Sequence, residues 1–237
     1  LNILRTDPYF QINEAVDPAE FVALYKTFRT WPIYRIGAKL GVNASQPNVT
    51  ESNTAVQLDP ESGYKYLIGF QFGASADLPL VFLTEKLTLH GELIYQQKKF
   101  DINLISTRGT STFQNEFIRV ESHNWVSLPV TFEYRLLKKK LNPYVGLGFG
   151  VDYLIKSSIT GEKQRDAQAS IEPKTFSPER ENLNFSAIAV AGVKLPIASG
   201  LVVIEARYSY GLTNVTSPET AYANADYILD YGYVDSI

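Results

Sequence analysis

The stretch Trp125–Leu137, WVSLPVTFEYRLL, decides how the chain is read. Taken every second residue, it separates into two series. Val126, Leu128, Val130, Phe132, Tyr134 and Leu136 are apolar, while Trp125, Ser127, Pro129, Thr131, Glu133, Arg135 and Leu137 are mixed. A period of two is a strand with unlike faces. In a soluble sheet the apolar face would lie on the core. In a membrane barrel the order inverts: apolar residues meet lipid, and Glu133 and Arg135 sit inside. The period alone does not choose between these, so the choice falls to the rest of the chain.

The same alternation recurs in six other runs. Tyr34, Ile36, Ala38, Leu40 and Val42 oppose Arg35, Gly37, Lys39, Gly41 and Asn43. Tyr64, Tyr66, Ile68, Phe70 and Phe72 oppose Lys65, Leu67, Gly69, Gln71 and Gly73. Leu87, Leu89, Leu93 and Tyr95 oppose Thr88, His90, Glu92 and Gln96. Val145, Leu147, Phe149, Val151 and Tyr153 oppose Tyr144, Gly146, Gly148, Gly150 and Asp152. Around 184–195 the pattern is less clean, with Ile188 and Val190 interrupting the face that carries Asn184, Ser186 and Lys194. The last run sets Val202, Ile204, Ala206, Tyr208 and Tyr210 against Glu205, Arg207, Ser209 and Gly211.

Long and short connections alternate between these runs. Long polar loops are expected near 44–63, 99–123, 156–182 and 213–237, with tight turns such as KKKLN and PIASG between them. This segregation suits an up-and-down meander across a bilayer, and structureless loops of such length are uncommon in compact soluble domains. Three further features agree. The polar faces are rich in glycine and mix acids with bases, which fits a narrow interior filled by long side chains from opposite strands. Tyrosines lie near strand ends on the apolar faces, as expected at water–lipid boundaries: Tyr34, Tyr64, Tyr66, Tyr95, Tyr134, Tyr153, Tyr208 and Tyr210. No apolar run is long enough for a transmembrane helix. The reading is therefore an all-β, transmembrane, antiparallel β-barrel over residues 33–237, with Glu133 and Arg135 inside.

The composition narrows the function. With 22 basic and 25 acidic residues and no basic stripe, nucleic acid is not an expected partner. Cysteine is absent, which removes thiolate metal sites and cysteine nucleophiles. The opening LNILRTDPYF carries no secretory leader pattern, as expected of a mature form or of a piece of a longer chain. Residues 1–32 are expected to form an N-terminal periplasmic segment. A short helix is expected at 17–30, with Asp17 as N-cap, Pro18 at N1, Glu20 at N3, and Phe21, Leu24, Tyr25 and Phe28 on one face; an ordered linker is the alternative. Seven strands are legible, whereas closed single-chain barrels of this type have an even number. The eighth is expected beyond Ile237. The N-terminal YFQIN is too short to serve.

The runs IYRIGAKLGVN, WVSLPVTFEYRLL, LNPYVGLGFGVDYLI and LVVIEARYSYGLTNV together resemble the OmpA-like outer-membrane β-barrels, in particular the small PorT-like barrels of Bacteroidetes. The resemblance covers roughly residues 33–215. It implies an eight-stranded barrel in a Gram-negative outer membrane, with long loops extracellular and short turns periplasmic. Some members belong to type IX secretion and gliding machinery. The chain departs from the pattern in lacking a final strand that ends on an aromatic residue and in its longer segment before the first strand.

The inward projection collects Arg35, Lys39, Lys65, His90, Glu92, Glu133, Arg135, Asp152, Lys194, Glu205 and Arg207. An eight-stranded barrel is just wide enough for side chains to fill, and buried charges there must pair. A structural salt-bridge network is expected, with Glu92, Glu133 and Glu205 serving Arg35, Arg135 and Arg207. No catalytic residue, cofactor or metal site is expected. His90 reads as a satisfied core histidine beside Glu92, and His123 and Ser122 are strand neighbours that face opposite ways. The leading expectation is a non-enzymatic structural or accessory subunit of an outer-membrane assembly. It would be in contact with membrane lipids, including lipopolysaccharide, and with other outer-membrane or periplasmic proteins. A surface-binding protein acting through its loops and a narrow pore are the alternatives.

Overall fold

The computed structural model describes residues 12–27, 34–51, 63–80, 83–107, 114–137, 141–165, 169–170, 174–176, 180–197, 200–216 and 231–236. Seven long antiparallel strands form an incompletely closed barrel wall. They are β1 (Arg35–Glu51), β2 (Gly63–Pro79), β3 (Leu87–Thr107), β4 (Gln114–Arg135), β5 (Asn142–Arg165), β8 (Leu183–Ile197) and β9 (Gly200–Gly211). Two short strands, β6 (Ala169–Ser170) and β7 (Lys174–Phe176), pair with the outer part of β5. Each long strand pairs with its neighbour in chain order, so the wall is an up-and-down meander. No helix among the described residues is long and apolar enough to cross a membrane.

The question posed by Trp125–Leu137 has a direct answer. Leu128, Val130, Phe132, Tyr134 and Leu136 are between 42 and 53 % exposed, whereas Trp125, Ser127, Thr131 and Glu133 are 3 % exposed or less. The apolar face looks outward, as a barrel in lipid requires and a soluble sheet forbids. The same holds around the wall, from Ile36, Leu40 and Val42 on β1 to Ile204 and Tyr208 on β9. On β4 the outward apolar run, Val126 to Leu136, is about ten residues, which at the usual tilt spans the roughly 25 Å apolar band of such barrels.

Four expectations are corrected. The regions 44–63, 99–123 and 156–182 are not simply loops: β1 runs to Glu51, β3 to Thr107 and β5 to Arg165, while β2 begins at Gly63 and β4 at Gln114. Above the belt no lipid imposes an apolar face, so these extensions lose the alternation that marks them as strands. The eighth strand does not lie wholly beyond Ile237. A six-residue strand, β10 (Tyr231–Ser236), pairs with β1 over Gln46–Glu51, and Ser236 also faces Tyr210 of β9. Its partner region on β1 lies above the belt, where no clean period is demanded. Among the described residues, the facing edges of β1 over 35–45 and of β9 over 200–209 pair on one side only.

The glycines on β5 answer to adjacent strands rather than opposite ones. A Cβ at Gly148 would strike the Val130 carbonyl and stand 2.6 Å from Thr131 Cα, and one at Gly146 would come 2.8 Å from Val190 Cγ2. The N-terminal helix, α1, covers Ala19–Thr27 and has no fully buried residue; Leu24 is exposed, Phe21 and Tyr25 are half-buried, and Phe28 lies outside the described residues. Asp17 is not seen capping it. Its carboxylate accepts the Asn13 backbone N–H at 2.7 Å, while Pro18 O receives the first helical bond, from Val22 N–H at 3.0 Å.

Candidate functional site

The lumen holds one continuous polar network to which each of the seven long strands contributes. Its lower part centres on Asp77 of β2. His90 of β3 places Nδ1 against Asp77 Oδ1 and Nε2 2.8 Å from Glu92 Oε1. Lys194 of β8 donates to Asp77 at 3.1 Å and to Glu133 of β4 at 2.5 Å, and Arg35 of β1 stands 3.8 Å from Asp77. The middle part centres on Glu92 and Glu205. Lys39 of β1 donates to both at 2.7 Å, Arg207 of β9 approaches them at 2.6 and 2.9 Å, and Tyr144 of β5 donates to Glu205 at 2.7 Å. Four carboxylates thus meet Arg35, Lys39, Lys194 and Arg207, with His90 against three of the acids. Mutual compensation is what allows charge to remain at this depth.

Some expected members lie elsewhere. Arg207 serves Glu92 and Glu205, but Arg35 turns to Asp77, and Glu133 takes Lys194 and His90 instead of an arginine. Arg135 sits at the short-turn rim, donating to the Glu85 carbonyl at 2.7 Å. Asp152 is buried among amides, receiving Asn184 at 3.3 Å and Gln96 at 3.5 Å. Lys65 is exposed, and Tyr64 leaves the lipid face to pack on Phe100. One cause covers both. The pairing of β2 with β3 shifts between Leu67 and Gln71, and a one-residue slip exchanges the faces of a strand. Tyr34, Tyr134, Tyr153, Tyr208 and Tyr210 keep outward positions and are exposed, and Tyr95 packs on the rings of Phe70 and Phe72. Tyr66, opposite Phe100 on the same side of the shift as Tyr64, is exposed as well.

Reading the sequence missed Asp77, because SADLP resembles a turn. The available signal was parity, since Gly73, Ser75 and Asp77 continue the inward series of β2. It also missed a second cluster above the belt. There Glu121, His123 and Trp125 on β4 stand with Phe100, Ile102 and Leu154. Two chain segments from different loops close over them. Arg180 grips Glu121 with two bonds, at 2.9 and 2.8 Å, and also bonds Thr216 Oγ1. Val215, fully buried, completes the apolar cluster. No spacing announces a pair separated by 59 residues.

Burial acts to raise the Glu121 carboxyl, but Arg180 and His123 hold it down to about 2. A depressed carboxylate contributes its full stability above its ordinary value of 4.5 and loses it as pH falls toward about 2. This upper cluster is therefore expected to hold at about pH 5 and above and to loosen on acidification through that window. Trp125 fluorescence followed down a pH titration checks this; loosening on the alkaline side of neutrality instead would contradict it.

Asp77, His90 and Glu133 bring three potential metal-ligand atoms within 4.8 Å of one another. Lys194 already bridges the two carboxylates, so a cation there would have to displace an ammonium. Both histidines are held by carboxylates, with His123 Nε2 2.6 Å from Glu121, while Ser122 takes the opposite face. A cavity of about 1480 Å³ runs beside the network. Its lining includes Leu40 and Ala206, residues of outward faces, because it opens sideways between the facing edges of β1 and β9.

A wall whose apolar face is outside and whose charges are paired inside agrees with the sequence comparison. The family model described as outer membrane protein beta-barrel domain matches residues 33–217. The chain belongs to this family. Its residues 33–217 are an outer-membrane β-barrel domain, and the bacterial outer membrane is its location. No curated protein and no solved structure matches the chain.

Proposed function

We propose that this barrel is a non-enzymatic structural or accessory subunit of an outer-membrane assembly, with its long-loop end extracellular and its short turns periplasmic. One observation carries the reading. The lumen is crossed by ion pairs from six of the long strands, and the seventh, β5, joins them through the Tyr144–Glu205 hydrogen bond, so the interior is committed to holding the wall together. Neither histidine stands free to act as a base, which supports a role without catalysis. The surfaces left for work are the lipid-facing belt, with lipopolysaccharide and other lipids as neighbours, and the strand extensions and loops, where outer-membrane or periplasmic proteins would dock. The resemblance to PorT-like barrels extends the proposal to type IX secretion or gliding machinery.

Binding of an external ligand through the loops is the second reading. It is favoured by β3, β4 and β5 reaching well above the belt with polar outer faces such as Gln97, Lys99, Ser122 and Asn124. A narrow pore is less favoured, since the ion pairs cross the lumen and the cavity owes its side opening to the β1–β9 seam. Extraction in mild detergent, native gel migration and mass spectrometry of the band test the proposal. A large band of defined composition is expected; a lone barrel near its own mass contradicts it and moves the weight to loop-mediated binding.

A further inference from the structure

The cluster above the belt has features of a moving part rather than of a wall. The wall is joined by continuous backbone ladders from strand to strand. The two segments over the mouth, 180–182 and 212–216, are tied down by isolated bonds: Asn182 O to Leu154 N–H at 2.8 Å, Leu212 N–H to Phe185 O at 2.7 Å, and Glu181 N–H to Val215 O at 2.7 Å between the segments themselves. What fastens them to β4 is Arg180, whose fork spans both oxygens of Glu121 and whose third nitrogen reaches Thr216 on the other segment. One side chain therefore joins both segments to β4, while Thr213 Oγ1 accepts from the Phe185 N–H at 3.1 Å and donates to Asn184 at 2.8 Å on β8. Both members of the pair are buried, Glu121 completely and Arg180 to 3 % side-chain exposure.

We infer that these two segments form a lid over the upper mouth of the lumen, fastened by the Arg180–Glu121 pair, and that releasing the pair uncovers Trp125. The physical reason is asymmetric cost. A buried, bidentate arginine–carboxylate pair is among the stronger side-chain contacts. Removing one partner leaves a buried charge that has to find water. Here water is reached most readily by swinging the lid, because the alternative is to break strand ladders. Val215 would leave the cluster of Phe100, Ile102, Trp125 and Leu154 in the same movement. Gln96, the partner of Trp125 on β3, and Ser127, the next inward residue below Trp125 on β4, line the cavity that opens between β1 and β9. The inference does not depend on the assembly reading, since it concerns the barrel alone.

The test uses the full chain folded in detergent micelles with Trp31→Phe, which leaves Trp125 as the single tryptophan. Acrylamide, being neutral, reports its exposure from either end of the barrel. Shielding of Trp125 is expected with Arg180 intact. A rise in the quenching constant of about threefold or more, with a red shift of emission, is expected for Arg180→Ala, the population shift that loss of such a pair supports. The folded state of each sample is verified by its heat-modifiable gel mobility. Equal quenching in the two folded proteins would overturn the inference, and so would a Trp125 already exposed with Arg180 present. Should Arg180→Ala fail to fold, Arg180→Lys keeps the charge and loses the fork. An intermediate rise then supports the lid, and no rise overturns it.

Discussion

Glu133→Arg is expected to abolish or severely impair folding of the barrel, and Lys194→Glu placed in the same chain is expected to recover much of it. Glu133 is 3 % exposed, 2.5 Å from Lys194 and 3.8 Å from His90. Reversing its charge sets a guanidinium against Lys194, with Arg35 also nearby on Asp77. Breaking a buried pair costs about 3–5 kcal/mol even without introducing a like charge, a large part of the stability of a single domain. The double reversal restores one opposite pair, though Lys194→Glu then places a second carboxylate beside Asp77, so recovery is expected to be partial. Refolding into micelles, read as the fraction reaching the heat-modifiable form, measures both. Normal folding of Glu133→Arg alone would contradict the paired, buried lumen.

The second large effect concerns the backbone. Gly148→Ala is expected to block closure of β4 on β5, whereas Gly91→Ala is expected to be close to neutral. A Cβ at Gly148 would strike the Val130 carbonyl and come 2.6 and 2.7 Å from Thr131 Cα and Cγ2, while one at Gly91 meets nothing within 4 Å. Backbone cannot swing aside as the end of a flexible side chain can, and overpacking commonly costs about 1–3 kcal/mol and occasionally more. Urea titration of the two variants side by side separates them. Equal midpoints would show that the close approach of β4 to β5 does not constrain this strand.

The two predictions differ in how far the sequence foreshadows them. Glu133 and Lys194 are legible as inward residues from alternation alone, as are Glu92, Glu205 and Arg207. Their partners are not. Alternation fixes the side of the wall on which a residue lies, but pairing depends on height along the axis and on which strands face each other. Lys39 therefore meets Glu205, 166 positions away, and Arg35 meets an aspartate that looks like part of a turn. The upper cluster was hidden for another reason. Above the belt the constraint that writes a period into the sequence is gone, so Glu121 and Arg180 carry no mark of their partnership.

By itself the sequence determined that this chain is a β-barrel with its apolar side turned outward, because lipid demands a period of two over about ten residues in every crossing strand. It also placed inside most of the charges that lie within the belt, Glu92, Glu133, Lys194, Glu205 and Arg207 among them, but not Asp77, and it put Lys65 on the wrong face. Only the tertiary structure decided how those charges pair, where strands continue beyond the membrane, and that Tyr64 and Lys65 exchange faces at the shift between Leu67 and Gln71. Those outcomes depend on register and on distance between strands remote in the chain. A periodic pattern, being the same at every step along a strand, cannot encode either.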